Sequence, residues 1–439
     1  MKFLHLADCH LGGWHDERLE HLNFKAFELA LNLAIEKGVD GILISGDLFD
    51  SPMPNLQIAI KVFDKLKEIK KRGIRLYAVA GSHDVAHEVG IINLLAASEI
   101  IKNVAFNDHK QEKDINDFIE KIGEEEVLII GISGKRKARE IEDVKKLKEF
   151  LEANKEKLKN KKKILLLHSA VSELCNLPIE SISIAELPKG FDYYALGHIH
   201  SPSIMKKYCY PGPTFPNNFE ELERLNFGSC VLVDLKSDEP KIECFKLKSH
   251  EIKTFFFDAN NKNPFELNKE ILEKIEESEI RQGIITLRLE GTLSEGNIAQ
   301  IEFSKINDSF PDLIVLKNIS KLSSKEYEHE ELEISASSIE ELEQEIIMKE
   351  IRKEKLKDGS EKLMFEIILE LIKCFDKEKL EGETNSTFEA RLLTELRSKE
   401  DSLIRSWEKI NKMNLAHSQT CNQHNSTANI ANAASFASK

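Results

Sequence analysis

The sequence predicts an α/β fold for roughly its first 250 residues, and three features carry that reading. Short apolar runs of strand length alternate with longer stretches whose apolar residues recur at helical spacing. The runs follow one another as in a largely parallel or mixed sheet with helical connections. Most of them end in Asp or His, residues able to do chemistry.

Lys2-Phe3-Leu4-His5-Leu6-Ala7 reads as a buried strand that runs directly into Asp8-Cys9-His10. Alternation puts residues two apart on one side, so Asp8 and His10 can close on one ion while Cys9 points elsewhere. Leu22 to Lys37 has helical spacing and stops at Gly38. Gly41 to Ser45 is the second strand, Leu56 to Lys71 the second helix and Ile74 to Val79 the third strand. Further strands are expected at Val127–Ile130, Ile164–Leu167 and Tyr193–Leu196. The runs Cys230–Leu235 and Ile242–Leu247 are expected to finish a second sheet. A helix through Leu267 to Ile275, followed by alternation around Ile284 to Gly291, indicates a small α+β unit. Beyond about residue 330 the chain is helical and charged. Ser338-Ile339-Glu340-Glu341 matches a capping box. Leu363, Ile367, Leu371 and Phe375 form one stripe, and Phe388, Leu392 and Leu396 mark a third helix. The Asn-, Ala- and Ser-rich end is expected to be disordered, and the metal-like spacing of His417, Cys421 and His424 within it is read as incidental.

Composition sets bounds. At 439 residues the chain exceeds what one core usually supports. No apolar run approaches the roughly 20 residues of a membrane span, and the apolar start is too short for a secretion signal, so a cytoplasmic protein is expected. Seven scattered cysteines without a Cys-x-x-Cys pair read as reduced thiols. A net charge of −14 excludes coating nucleic acid through bulk charge. A nucleic-acid partner would need a local basic face, for which the stretch from Lys135-Arg136-Lys137 to Lys161-Lys162-Lys163 is a candidate. Its interleaved Glu residues fit a solvated helix face better.

The chemistry gathers at strand ends. The first strand ends in Asp8-Cys9-His10, the second in Gly46-Asp47, the third in Gly81-Ser82-His83-Asp84, the Ile164 strand in His168 and the Tyr193 strand in Gly197-His198-Ile199-His200. Carboxyl ends of strands are where open α/β sheets form ligand sites. One His after a strand is usually a hydrogen-bonded core residue; five coincident strand ends reverse that expectation. Imidazole and carboxylate without thiolate suit Mn, Fe or Zn better than Ca or Mg. Two ions roughly 3.5–4 Å apart, bridged by a carboxylate, could clamp a phosphate and acidify the attacking water.

At these residues the chain resembles the calcineurin-like metallophosphoesterases, whose motifs run Asp-x-His, Gly-Asp, Gly-Asn-His, a lone His and Gly-His-x-His. It resembles most closely the SbcD-type DNA repair exonucleases, on Asp8-Cys9-His10-Leu11-Gly12, Gly46-Asp47-Leu48-Phe49-Asp50, Gly197-His198-Ile199-His200 and Tyr210-Pro211-Gly212. The resemblance implies a four-layer β-sandwich flanked by helices in residues 1–250, a small α+β capping and DNA-binding domain in 251–330, a helical ATPase-binding region in 331–410 and a disordered tail in 411–439. It implies one metal on Asp8, His10, Asp47 and His200, and a second on Asp47, His168 and His198. His83 is similar to the histidine that meets the scissile phosphate, with Asp84 orienting it. Ser82 departs from the pattern, since the family places Asn there as a ligand of the second metal.

The function implied is a phosphodiesterase using two divalent ions, manganese first with iron or zinc as alternatives. It would act on DNA ends as an exonuclease, with endonuclease action as an extension, beside an SMC-like coiled-coil ATPase and as a homodimer. Two other readings stand: a phosphoesterase for small molecules, and a DNA-end binding scaffold whose chemistry is weakened by Ser82.

Overall fold

The computed structural model describes residues 1–85, 90–106, 114–134, 140–175, 179–325 and 360–375, with a few helical positions between 344 and 394. The chain divides into two compact units, Met1–His329 and Glu330–Lys439.

The first unit begins with β1 (Lys2–Leu6), α1 (Glu17–Lys37), β2 (Gly41–Ser45), α2 (Leu56–Lys71), β3 (Arg75–Val79), α3 (Ile91–Ala97) and β4 (Lys102–Asn103). Their strands lie parallel in the order β1-β2-β3-β4. Helix α1 starts before the predicted Leu22 because Asp16 caps it, accepting from the backbone N–H of Arg18 and Leu19. Its polar first turn carries no apolar periodicity. A second sheet follows with β5 (Ile119–Ile122), β6 (Glu125–Ile132), α4 (Glu140–Ala153), β7 (Lys162–His168), β8 (Tyr193–Gly197), β9 (Ser203–Met205) and β10 (Tyr208–Tyr210), in the order β5-β6-β7-β8-β10-β9.

After α5 (Phe219–Leu225) the chain returns to the first sheet. There β11 (Gly228–Asp234) runs antiparallel beside β1, with Phe3 opposite Val233, and β12 (Lys241–Leu247) lies outside it. This corrects the expectation that these two runs finish the second sheet. A strand's residue pattern reports that one face is buried and says nothing of its partner; here the free edge of β1 supplies the partner.

Successive residues of each central strand face different cores. Ile42 and Ile44 of β2 pack toward α1 and α2, while Leu43 packs between the sheets with Phe3, Tyr77, Ile129 and Ile164. In the second sheet Leu165 and Leu167 face α4. The result is helix, sheet, sheet, helix, and strands buried on both faces read as continuous apolar runs.

A polar seam joins the two sheets. His5 places Nδ1 2.9 Å from the Tyr193 hydroxyl and Nε2 3.0 Å from the Ser45 hydroxyl, which donates to the Ala195 carbonyl at 2.9 Å. Full burial lowers the His5 pKa from an ordinary 6.5 to about 3. The folded protein therefore keeps His5 neutral while the unfolded chain takes up a proton below 6.5, so this contribution is complete above pH 6.5 and fades as pH falls toward 3. Between pH 7.5 and 5 the native chain should lose about 2 kcal/mol more stability than His5→Gln, read by urea denaturation at saturating metal. Equal losses in the two proteins would contradict this.

The rest of the first unit is a sheet of three parallel strands, β13 (Ile252–Asp258), β14 (Gly283–Leu293) and β15 (Leu313–Ser324), joined through α6 (Pro264–Glu277) and α7 (Phe303–Ser309). Leu267, Ile271 and Ile275 of α6 cover one face with Leu287 and Leu289. Ile284 and Ile314 join the core beneath α1 on the other.

In the second unit, α8 (Ser360–Phe375) carries the predicted stripe of Leu363, Ile367 and Leu371. Ser338, Phe388, Leu396, the His417-Cys421-His424 group and the basic run 135–139 lie outside the described residues. Among the described residues no helix is long and apolar enough to cross a membrane.

Candidate metal centre

The carboxyl ends of β1, β2, β3, β7 and β8 meet at one edge of the sandwich. Beyond β1 the chain stays zipped to the loop after β2: Asp8 N donates to the Gly46 carbonyl at 3.1 Å, and His10 N to that of Asp47 at 3.0 Å. Asp8, His10, Asp47 and His198 all have positive φ, at 50°, 42°, 49° and 94°. Each such residue costs about 1–3 kcal/mol, held in place by its surroundings. Part of that support is Asp84, whose buried carboxylate accepts from the N–H groups of Leu48, Phe49 and Gly81 at 3.0–3.2 Å. Burial and the neighbouring Asp47 charge raise its pKa to about 6. Two glycines allow close approach: a Cβ on Gly81 would fall 2.1 Å from Asp47 Oδ1, and one on Gly46 2.2 Å from His168 Nδ1.

The imidazoles are oriented by what their outer nitrogens touch. His10 Nδ1 lies 2.9 Å from Asp50 Oδ1, and His200 Nδ1 lies 2.8 Å from Glu221 Oε1. His168 Nδ1 lies 2.9 Å from the Ser45 carbonyl oxygen. These partners accept hydrogen bonds, so all three rings carry a proton on Nδ1 and, when neutral, present a bare Nε2 to the interior. The two Nε2 atoms of His10 and His200 are 3.1 Å apart. Asp47 Oδ2 stands 3.9 Å from His10 Nε2 and 3.1 Å from His168 Nε2. One carboxylate oxygen thus lies between two imidazole groups, and with neutral rings their nitrogen lone pairs face it and one another. Such an array is stable only with positive charge inside it.

The remaining polar atoms agree. Asp8 Oδ2 and His168 Nε2 are buried without a hydrogen-bond partner. Burial alone would lower the His168 pKa, yet the carboxylates of Asp47 and Asp8 raise it to about 10. Asp47 is likewise held well below the usual carboxylate range, against its own burial, by His168 and His10. Among the described residues three groups with ligand atoms within 4.8 Å of one another form here, Asp8-His10-His200, Asp8-Asp47-His168 and His10-Asp50-His83. Imidazole nitrogens ordered by outer carboxylates, beside a carboxylate that reaches the first two groups, fit divalent cations of the first transition row.

Three predicted residues sit at the margin. The His83 ring is about half exposed, stands edge-on to His10 with centroids 4.8 Å apart, and directs Nδ1 to the Asp50 carbonyl at 2.9 Å. Its Nε2 is therefore the nitrogen left for a ligand. Asp84 engages backbone N–H groups, so the partner that sets the His83 ring is Asp50. Ser82 Oγ donates to Asp47 Oδ2 at 3.4 Å. His198 is exposed, with its ring edge-on to His168 at 5.1 Å and its backbone N–H on Asp8 Oδ1 at 2.9 Å.

Asp50 and Glu221 carry site functions that sequence reasoning did not assign. Asp50 closes the Gly46–Asp50 run and could have been suspected there. Glu221 could not, since it follows the helix-capping Asn218 by three residues and reads as a capping partner.

The calcineurin-like phosphoesterase family model matches residues 1–202. The DNA double-strand break repair protein Mre11 of Sulfurisphaera tokodaii is 30% identical over 342 residues, covering 73% of this chain and 81% of that protein. The Mre11 of Methanocaldococcus jannaschii is 32% identical over 290 residues, covering 63% and 73%. That of Methanococcus maripaludis is 28% identical over 369 residues, covering 79% and 90%.

Proposed function

Because the chain belongs to the Mre11 family of calcineurin-like phosphoesterases, we propose that it is a two-metal phosphodiesterase that cuts DNA in double-strand-break repair. It acts as an exonuclease, and as an endonuclease where the substrate allows, in the cytoplasm and beside an SMC-like ATPase. The observation that carries the reading is Asp47 Oδ2 set between the Nε2 atoms of His10 and His168.

Asp8, His10, Asp47 and His200 would hold one ion, and Asp47, His168, His198 and Ser82 the other, with Mn²⁺ as the cellular metal. When bound, such a pair draws phosphate oxygens together and supplies a deprotonated water at neutral pH. The protein's own groups do the rest. Asp50 and Glu221 fix the tautomers of His10 and His200. His83, when protonated on both nitrogens and with Nδ1–H held by the Asp50 carbonyl, would give its Nε2 proton to the departing oxygen and be left as the neutral imidazole. Asp84 keeps the loops carrying Asp47 and His83 in register.

Residues 251–330 hold DNA against the centre, and the region 331–410 takes the ATPase through the apolar stripe of α8. Met53, Leu56 and Ile60 are 85%, 77% and 61% exposed near the start of α2, an apolar surface suited to a second copy of the chain.

Ser82 favours one other reading, a DNA-end scaffold with weakened chemistry. The deciding experiment compares cleavage of DNA ends and of cyclic nucleotides with Mn²⁺ and with a chelator. Metal-dependent DNA cleavage is expected; DNA binding without cleavage leaves the scaffold, and preference for cyclic nucleotides ends the nuclease reading. Ser82→Asn adds a carbonyl that reaches one bond further, and it should tighten Mn²⁺ at the second site about tenfold by calorimetry. Unchanged stoichiometry, affinity and rate would remove Ser82 from the metal site.

A further inference from the structure

Helix α5 has two working faces. On one, Glu221 Oε1 holds His200 Nδ1 at 2.8 Å and Arg224 donates to the Ser201 hydroxyl at 2.8 Å. Residues three apart share a helix face, so these two grip the segment His200–Ser201 together. On the other, Glu223 and Phe219, four apart, grip Arg288 of β14. The Arg288 guanidinium donates from Nε to both Glu223 carboxylate oxygens at 3.0 and 3.1 Å, with a further bond from its NH2 group, and lies 5.4 Å from the centre of the Phe219 ring. The pair is largely buried, with side chains 15% and 11% exposed. A planar guanidinium held by a carboxylate and an aromatic face defines direction as well as distance. The helix spans two turns, so the grip of the three-stranded sheet and the grip on His200 are separated by one helix diameter.

We propose that α5 transmits the position of the three-stranded sheet to the metal centre, with Arg288 and Glu223 as positioning residues for the His200 imidazole. A shift of β14 along or across α5 moves Glu221, and with it the nitrogen that His200 offers to the ion. Whatever loads the small sheet, a nucleic acid above all, thereby changes the geometry of one metal site and leaves the His168 side untouched. The inference rests on the reading of His200 as a metal ligand, and it is independent of which substrate is cut.

The test is calorimetric titration of Mn²⁺ into the metal-free full-length chain, with thermal melting run in parallel. Arg288→Gln and Glu223→Gln should each weaken one of the two sites roughly tenfold and leave the other unchanged. The double variant should lose no more than either single one, because all three break the same link. Titrations like those of the native chain in either variant would overturn the proposal, as would equal weakening of both sites or additive losses in the double variant. If Arg288→Gln does not fold, Arg288→Lys keeps the charge without the fork and should give intermediate affinity at the one site; native affinity there overturns it. A chain that binds two Mn²⁺ ions and cuts no DNA would end the nuclease reading and leave this link standing.

Discussion

Asp47→Ala is expected to lower metal-dependent DNA cleavage by at least about 10³-fold, roughly 4 kcal/mol of transition-state stabilisation. The size of the effect follows from what one side chain does. Its Oδ2 lies between His10 Nε2 and His168 Nε2, and its Oδ1 accepts from the His83 N–H at 2.7 Å. On the proposed two-metal reading, removing it would take a ligand from both ions, and it would slacken the loop that presents His83. His168 also loses the carboxylate oxygen that stands 3.1 Å from its buried Nε2. Calorimetry should therefore report the loss of both Mn²⁺ sites, whereas His168→Gln should remove one and spare the other. Two native-like Mn²⁺ sites in Asp47→Ala, or cleavage within tenfold of the native rate, would refute the bridging role.

Much of this centre was legible in the sequence, for a physical reason. Strands buried on both faces write themselves as apolar runs, so the first polar residue after each run marks the sheet edge where sites form. Asp8, His10, Asp47, His168 and His200 stand at such positions and converge in the fold. Partner choice was not legible: β11 has the same pattern whichever strand it joins, and it joins β1. The outer support was hidden too. Asp50 and Glu221 act through side chains that reach across loops, and although Asp50 closes a motif, nothing in local spacing distinguishes Glu221 from a surface carboxylate. His5 was one residue of an apolar strand with no role of its own, and that role exists only once the second sheet brings Tyr193 against it. The left-handed backbone of Asp8, His10 and Asp47 was unreadable as well, since hydrogen bonds from distant loops, and no glycine, sustain it.

His83→Ala should separate binding of metal from chemistry, and the separation is the strongest discriminator between a nuclease and a scaffold. The side chain is 47% exposed, so its removal should change stability by no more than about 0.5 kcal/mol. Its Nδ1 is occupied by the Asp50 carbonyl, which leaves Nε2 as the nitrogen that would face a phosphodiester on the proposed reading. A proton donor so placed contributes typically 10²–10⁴-fold to rate. The variant should accordingly keep both Mn²⁺ affinities and its KM for DNA while kcat falls by about that factor. His83→Gln, which retains a donor without an acid, should recover little of the loss. His83, Asp50 and His10 also bring ligand atoms within 4.8 Å of one another, so loss of a Mn²⁺ site in His83→Ala would make His83 a metal ligand and end its role as proton donor. Native kcat in His83→Ala would place the proton transfer elsewhere, and a native protein that binds DNA but has no kcat to lose would be the scaffold.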